Sequence, residues 1–225
     1  MIANPVWEAL TSEHARFAIG GAGLKRYPDT VAPFLAVARE GESLDEELCE
    51  LVAPGESLYF VGVSPRLPAS WTAEHSIVVQ MRCDTPMEQG RSESEILTLG
   101  PRDLDDMLEL TAIAYPMFFR VRTIELGTYL GIRSGGRLVA MAGERMRITG
   151  YQEISAICTH PDHRGRGYAR HLTAPLVETQ LERGGVPFLH VSASNTHAVG
   201  LYERWGFVRT RELHLWKVQR PGGSH

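Results

Sequence analysis

Apolar and polar positions change rhythm part-way along the chain. The first stretch begins with Asn4-Pro5, a helix start signal: asparagine can cap, and proline suits the first helical position. Further helix is expected over residues 33–40 and 44–51, ended by Pro54-Gly55. Two short apolar runs, 57–63 and 76–81, read as buried strands joined by a proline-rich loop over 64–70. Residues 84–94 are polar and carry Pro86 and Gly90, so a domain boundary is expected near residue 94. Beyond it the pattern is regular. A strand at 95–99 leads through Pro101-Arg102-Asp103 into a helix with Leu104, Met107, Leu108 and Thr111 at helical spacing. A short helix is expected over 118–126. Strands at 129–133 and 138–145 flank the turn Ser134-Gly135-Gly136. A strand at 152–159, a helix at 167–183 and a strand at 188–192 follow. The helix carries Ala169, Leu172, Leu176, Val177 and Leu181 on one stripe. A helix at 196–205 and strands at 207–209 and 213–218 close the chain. The order mixes antiparallel hairpins with a crossover, an α/β arrangement on a mixed sheet.

Composition narrows the class. Of 225 residues, 43% are hydrophobic and 22% charged, ordinary for a globular protein. The net charge of -4 gives no overall attraction to nucleic acid or anionic lipid. The three cysteines, Cys49, Cys83 and Cys158, are odd in number and form no CxxC pair. A disulfide framework and a structural metal are not expected, and a reducing cytoplasm is. The first residues show no basic start followed by an apolar run, and no stretch approaches the roughly 20 apolar residues of a spanning helix.

The most informative segment is residues 157–172, ICTHPDHRGRGYARHL. A strand ends in a proline turn, an Arg-Gly-Arg-Gly run follows, and a helix begins at once. Glycines let successive backbone N–H groups turn inward and let a ligand approach closely. The unpaired N–H groups of a helix's first turn favour phosphate. Arg164, Arg166 and Arg170 add charge-assisted donors. The plain alternative is a glycine-rich loop with solvated arginines. His160 and His163 have metal-like spacing, but Pro161 lies between them and no further ligands are evident, so a polar turn is expected. Pro175 falls inside the helix and predicts a kink near residues 171–175.

Arg164-Gly165-Arg166-Gly167-Tyr168-Ala169 matches the [Q/R]xxGx[G/A] signature of the GNAT (GCN5-related) N-acetyltransferase superfamily. Downstream, Asn195-Thr196-His197-Ala198-Val199-Gly200-Leu201-Tyr202 and Arg204-Trp205-Gly206-Phe207 resemble that family's N…A…LYxxxGF segment. The resemblance spans roughly residues 95–218, which it marks as the acetyltransferase domain, with 219–225 as a tail. Residues 1–94 are an α/β extension outside it, either a degenerate copy of the same fold or an unrelated cap.

The resemblance implies an enzyme that moves the acetyl group of acetyl-CoA directly to a primary amine. In such folds the strand before the loop parts from its neighbour at a bulge, and the pantetheine arm fills the gap. The matching positions here are Ile157, Cys158 and Thr159, with a backbone N–H near Ile157 and Cys158 polarising the thioester oxygen. Backbone of Gly165, Arg166, Gly167, Tyr168 and Ala169, rimmed by Arg164 and Arg170, would hold the diphosphate. Asn195 matches a position that contacts pantetheine and equally suits a helix cap. Tyr202 matches the general acid that protonates the leaving thiolate; a packed core tyrosine is the alternative. Glu153 is the candidate general base, with Glu144 on the preceding strand as its rival. Cys158 is expected to matter through its backbone.

The acceptor pocket would involve residues 115–123 and Tyr151, where Phe118, Phe119, Arg120 and Arg122 combine aromatic surface with positive charge. An arginine there could grip a substrate carboxylate; a basic surface around core aromatics is the alternative. The expected partners are acetyl-CoA, an amine on a small molecule or protein, and at most a second copy of the chain; no membrane and no nucleic acid are expected, since the Arg-Gly run lacks interleaved aromatics. A competing class is an acyl-CoA sensor that binds without turnover.

Overall fold

A computed structural model describes residues 2–64, 66–88, 90 and 92–222. The chain starts with α1 (Pro5–Leu10), followed by a small antiparallel sheet of β1 (Ile19–Gly20), β2 (Leu24–Arg26) and β3 (Leu35–Val37). Then come α2 (Asp45–Leu51), β4 (Ser57–Val61), β5 (Thr72–Arg82), β6 (Leu97–Leu99) and α3 (Leu104–Ala114). β7 (Tyr129–Ser134), β8 (Arg137–Ile148) and β9 (Tyr151–Thr159) form a meander. A crossover through α4 (Tyr168–Glu182) reaches β10 (Val186–Ser192), and α5 (Thr196–Arg204) precedes β11 (Val208–Gln219).

Eight of these strands make one sheet in the order β4-β11-β5-β10-β9-β8-β7-β6. Among the described strands of this sheet only β9 and β10 pair with each other in parallel; the α4 crossover between them is what permits it. β8 is buried along almost its whole length because α3 packs on it and α4 does too. Its sequence, RLVAMAGERMRI, is apolar from Leu138 to Gly143 before Glu144, Arg145 and Arg147 interrupt it.

The boundary expected at residue 94 does not divide the structure. β5 lies inside the sheet, hydrogen-bonded to β10 on one side and to β11 on the other. Val79, Met81 and Cys83 share a core cluster with Leu172, Val177 and Phe207. Strand pairing across some hundred residues leaves no local mark in a polar linker, so the linker read as a boundary. Residues 219–225 are likewise not a uniform tail: Gln219 ends β11, and residues 223–225 lie outside the described residues.

Other elements differ for local reasons. Residues 33–40 hold no helix but the short strand β3; Leu35-Ala36-Val37 is buried on both faces, and so short a run carries no usable period. The helix expected over 118–126 shrinks to a 3-10 turn at Thr123–Leu126. There Thr123 Oγ1 accepts from the Arg120 N–H at 2.7 Å and donates to the Val31 carbonyl at 2.7 Å, competing with helical bonding. The two last strands are one, with a register shift between Arg209 and Arg211. Pro175 does not interrupt α4, whose Leu172, Leu176 and Val177 stay packed on the sheet.

Candidate functional site

The site is made by a strand that loses its neighbour. β9 and β10 pair at Val186↔Tyr151, Pro187↔Gln152 and Phe188↔Glu153, and no pair follows. β10 continues along β5 as far as Ser192↔Val78, so only its β9-facing edge is released. β9 bends because it carries a bulge. Its register against β8 shifts between Gly143↔Ser155 and Met141↔Cys158, and Ala156 within that shift has φ 50°. A left-handed alanine is uncommon and re-aims the following backbone.

The Arg-Gly run lies where the strands part. Gly165 and Gly167 have φ 76° and 77°, conformations that other L-residues rarely adopt. A Cβ at either would meet nothing within 4 Å, so open space lies in front of both. Gly167 immediately precedes α4, leaving the N–H groups of that helix's first turn facing the same space. Arg164 and Arg166 are exposed and make no ion pair among the described residues; Arg170 is tied to Glu88 at 3.0 Å.

A cavity of about 580 Å³ collects these features. It is lined by Ile157, Cys158, Thr159, Asn195 and every residue from Arg164 to Arg170, which are the expected coenzyme-binding positions. Its size suits a substantial ligand. Asn195 caps α5, its Oδ1 accepting the Ala198 N–H at 3.1 Å, and it also lines the cavity. His163, His197 and Trp205 also line the wall, a role the sequence reading did not assign to them.

Tyr202 is not part of that lining. Its ring packs edge-on against Trp205 (5.4 Å) and Phe207 (5.8 Å). Burial raises its phenol well above the ordinary range, and nearby Tyr115 and Cys158 push the same way. The group therefore stays protonated at neutral pH. Burial also pushes the Cys158 thiol up to about 12, which removes it as a nucleophile. Tyr115, at the end of α3, meets Ser155 Oγ at 3.3 Å beside the bulge.

The two candidate carboxylates are both committed elsewhere. Glu153 is 0% exposed. It accepts Arg145 Nε at 2.8 Å and Nη2 at 2.7 Å, and meets His190 Nδ1 at 2.8 Å. Burial alone would raise its pKa, but the Arg145 charge and hydrogen bonds and the His190 contact hold it far below the usual carboxylate range. Glu144 is buried and accepts the Thr128 N–H at 2.9 Å. Arg145 and His190 escaped the sequence reading, although a charge inside the apolar run of β8 was a usable sign that a partner lay on β9.

The expected acceptor arginines are also engaged. Arg122 pairs with Glu125 at 2.7 Å, and Arg120 donates to the Met117 and Phe119 carbonyls. Phe118 stacks on Phe34 at 5.6 Å and Phe119 lies edge-on to Tyr129 at 5.6 Å, so these aromatics are core. Tyr151 packs on Phe188. His160 accepts from the Asp162 N–H in a 3-10 turn, and no cluster of three metal-binding side chains occurs among the described residues.

Known proteins resemble this chain in sequence and fold. Residues 129–217 match the family described as FR47-like protein. A stretch of 84 residues is 40% identical to N-alpha-acetyltransferase RimI of Mycobacterium tuberculosis, covering 36% of this chain and 52% of that protein. Another of 71 residues is 44% identical to mycothiol acetyltransferase of Brachybacterium faecium, covering 30% of this chain and 21% of that one. The chain thus matches about half of the first relative and about a fifth of the second. A GCN5-related N-acetyltransferase from Kribbella flavida shares the fold at TM-score 0.67 and 17% identity, over 99% of this chain and 96% of that one. A GNAT-family structure from Novosphingobium aromaticivorans aligns with TM-score 0.87 and 31% identity over 99% of this chain and 98% of its own. With the parted strands, the glycine loop and this end-to-end match, the chain belongs to the GNAT family of acetyltransferases.

Proposed function

We propose that this chain binds acetyl-CoA in the cavity between β9 and α5 and transfers the acetyl group directly to a primary amine. The observation that carries the reading is the parting of β9 and β10 beyond the Glu153–Phe188 pair, beside the glycine loop. When bound, acetyl-CoA supplies an acetyl thioester. The chain's part is to hold and polarise it. Backbone N–H groups from Gly165 to Ala169 bind the diphosphate, with Arg164 and Arg166 adding charge at the rim. The freed edge of β9 from Ile157 to Thr159 takes the pantetheine arm by backbone hydrogen bonds, and an N–H near Ile157 polarises the carbonyl oxygen. Tyr202, kept protonated by burial, donates its proton to the departing sulfur.

Glu153 takes a different part from the one its position suggested. A buried carboxylate in a two-bond grip with arginine is a weak proton acceptor, so we assign Glu153 to positioning Arg145 and His190 beneath the parted strands. The amine enters in its neutral form, and the proton its nitrogen loses on becoming an amide restores the Tyr202 hydroxyl. Three unpaired cysteines favour a reducing compartment, and no helix among the described residues is long and apolar enough to cross a membrane.

The test is calorimetric titration with acetyl-CoA followed by thiol release with a panel of amines. Micromolar binding and amine-dependent release support the reading; failure to bind ends it. The commitment of both carboxylates gives the sensor reading its one specific support. Tight binding with no release for any amine would favour that alternative.

A further inference from the structure

Away from the cleft, two histidines on neighbouring strands bring ring nitrogens together. His75 Nε2 lies 2.7 Å from His214 Nδ1, and both side chains are exposed. The ring centroids are 4.9 Å apart and the ring planes tilt by 34°. A neutral imidazole has one donor and one acceptor nitrogen, so a single proton between the rings holds this contact. The same two nitrogens are ligands when a metal ion takes that proton's place.

The sheet gives the pair a stiff base. β5 and β11 run antiparallel from Val208↔Arg82 to Gln219↔Thr72. Trp216 stands opposite His75, and His214 stands opposite Ile77. Side chains alternate along a strand, so His75, His214 and Trp216 share one face of this ladder. Trp216 packs on His75 with centroids 4.4 Å apart, and it also packs on the core cluster around Phe60 and Val218. That contact restrains the His75 ring. β10 accompanies β5 only from Val78 to Arg82. Residues 72–76 are therefore exposed, and an ion in solvent can reach both rings.

Donor type and spacing decide which ion fits. Mg2+ and Ca2+ take oxygen ligands, whereas imidazole suits Cu2+, Ni2+ and Zn2+. Metal–imidazole bonds are about 2.0–2.1 Å long. Two of them at a right angle set the nitrogens about 2.9 Å apart, and at the tetrahedral angle about 3.3 Å. The spacing of 2.7 Å is closer to the right angle, which belongs to tetragonal Cu2+ and Ni2+. Exposed side chains can open by a few tenths of an ångström and turn their rings towards a common point. Glu212 lies two residues before His214 on the same face and adds negative charge there. Lys217 points to the opposite face, where it meets Glu74 at 3.3 Å.

We propose that His75 Nε2 and His214 Nδ1 form a surface site for a divalent transition-metal ion of the Cu2+ and Ni2+ class. The proton between the rings moves to an outer ring nitrogen, so two neutral imidazoles supply the lone pairs. No cluster of three metal-binding side chains occurs among the described residues, so water fills the other coordination positions. Neither histidine lines the coenzyme cavity, and the site does not depend on the acetyl-transfer reading.

The experiment titrates the untagged full chain with nickel chloride and copper chloride, read by calorimetry and by tryptophan fluorescence. Wild type should bind either ion, magnesium chloride should give no signal, and Cu2+ should quench the Trp216 emission. His75→Asn and His214→Asn should each weaken Ni2+ binding by roughly tenfold or more, since even the loss of a group behind a metal ligand costs tenfold to a hundredfold. Trp216→Phe should keep the calorimetric affinity and lose most of the quenching. Absence of Ni2+ and Cu2+ binding in wild type overturns the proposal, and so does unchanged affinity in either histidine variant. Wild type alone gives a second decision that needs no variant to fold. Cu2+ should broaden the amide resonances of residues 73–77 and 212–216 first, and broadening that spares both segments overturns the site.

Discussion

Phe188 stands opposite Glu153 in the last pair that joins β10 to β9. The pair is a pivot. Phe188 is buried in the core shared with Tyr27 and Phe34, and Glu153 is pinned by Arg145 and His190. Beyond it the bulge at Ala156 carries β9 away, while β5 keeps β10 in place. The unpaired strand edge costs nothing when another backbone-like group lies against it, which is what an amide-bearing pantetheine arm offers.

Replacing Tyr202 with phenylalanine should lower kcat by about 10²–10⁴ while leaving acetyl-CoA affinity near that of the wild type. The hydroxyl makes no hydrogen bond among the described residues, and the ring contacts with Trp205 and Phe207 survive. Steady-state kinetics with calorimetric binding reads both quantities. An unaltered kcat would return Tyr202 to the core.

Glu153→Gln separates a positioning residue from a base. Loss of the carboxylate charge leaves buried Arg145 uncompensated, a penalty of about 3–5 kcal/mol. In a chain of this size that lowers Tm by about 6–20 °C. Surviving enzyme should keep the pH profile of the wild type. A variant with normal Tm and a lost pH limb in kcat would instead make Glu153 the base.

Gly167→Val should weaken acetyl-CoA binding at least tenfold. The φ of 77° strains any β-branched residue there, and the added atoms enter the space in front of the loop. Since they meet no protein atom, the fold should persist by circular dichroism. Calorimetry that finds normal affinity would remove the loop from the binding site.

Acid should destabilise the protein in two stages. His14 is buried against Tyr27, with Nδ1 2.8 Å from its hydroxyl, and burial, then Arg147, lower its pKa from 6.5 to about 4. The unfolded chain therefore binds the extra proton first, and stability falls as pH drops from 6.5 towards 4, by on the order of 3 kcal/mol. Glu153 acts below that. Its folded pKa is depressed, so its contribution is complete above about pH 4.5 and is lost as the pH falls further. Urea unfolding of His14→Gln across this range should show the first stage flattened and the second intact.

Much of the cavity beside the Arg-Gly run was legible because its determinants are local. Glycines with positive φ, arginines at the rim and a helix start lie within a few residues, and the strand before them is contiguous with the loop. The acceptor side was not legible in this way. Arg120 and Arg122 suggested an anion grip by composition, yet each is consumed by neighbours within three residues.

The sequence by itself determined most of the strands and helices after residue 95, apart from the short helix at 118–126 and the division of the last strand, together with the turn at Ser134-Gly135-Gly136 and the glycine loop before α4, because hydrophobic period and backbone freedom act over short distances. Tertiary structure alone decided that β5 enters the sheet between β10 and β11, which removed the boundary at residue 94. It alone turned Glu153 from a free carboxylate into a buried ion pair, and left Arg145 with one donor unmatched among the described residues. A side chain's protonation and hydrogen bonding depend on which distant groups share its low-dielectric surroundings, and linear spacing carries no record of that.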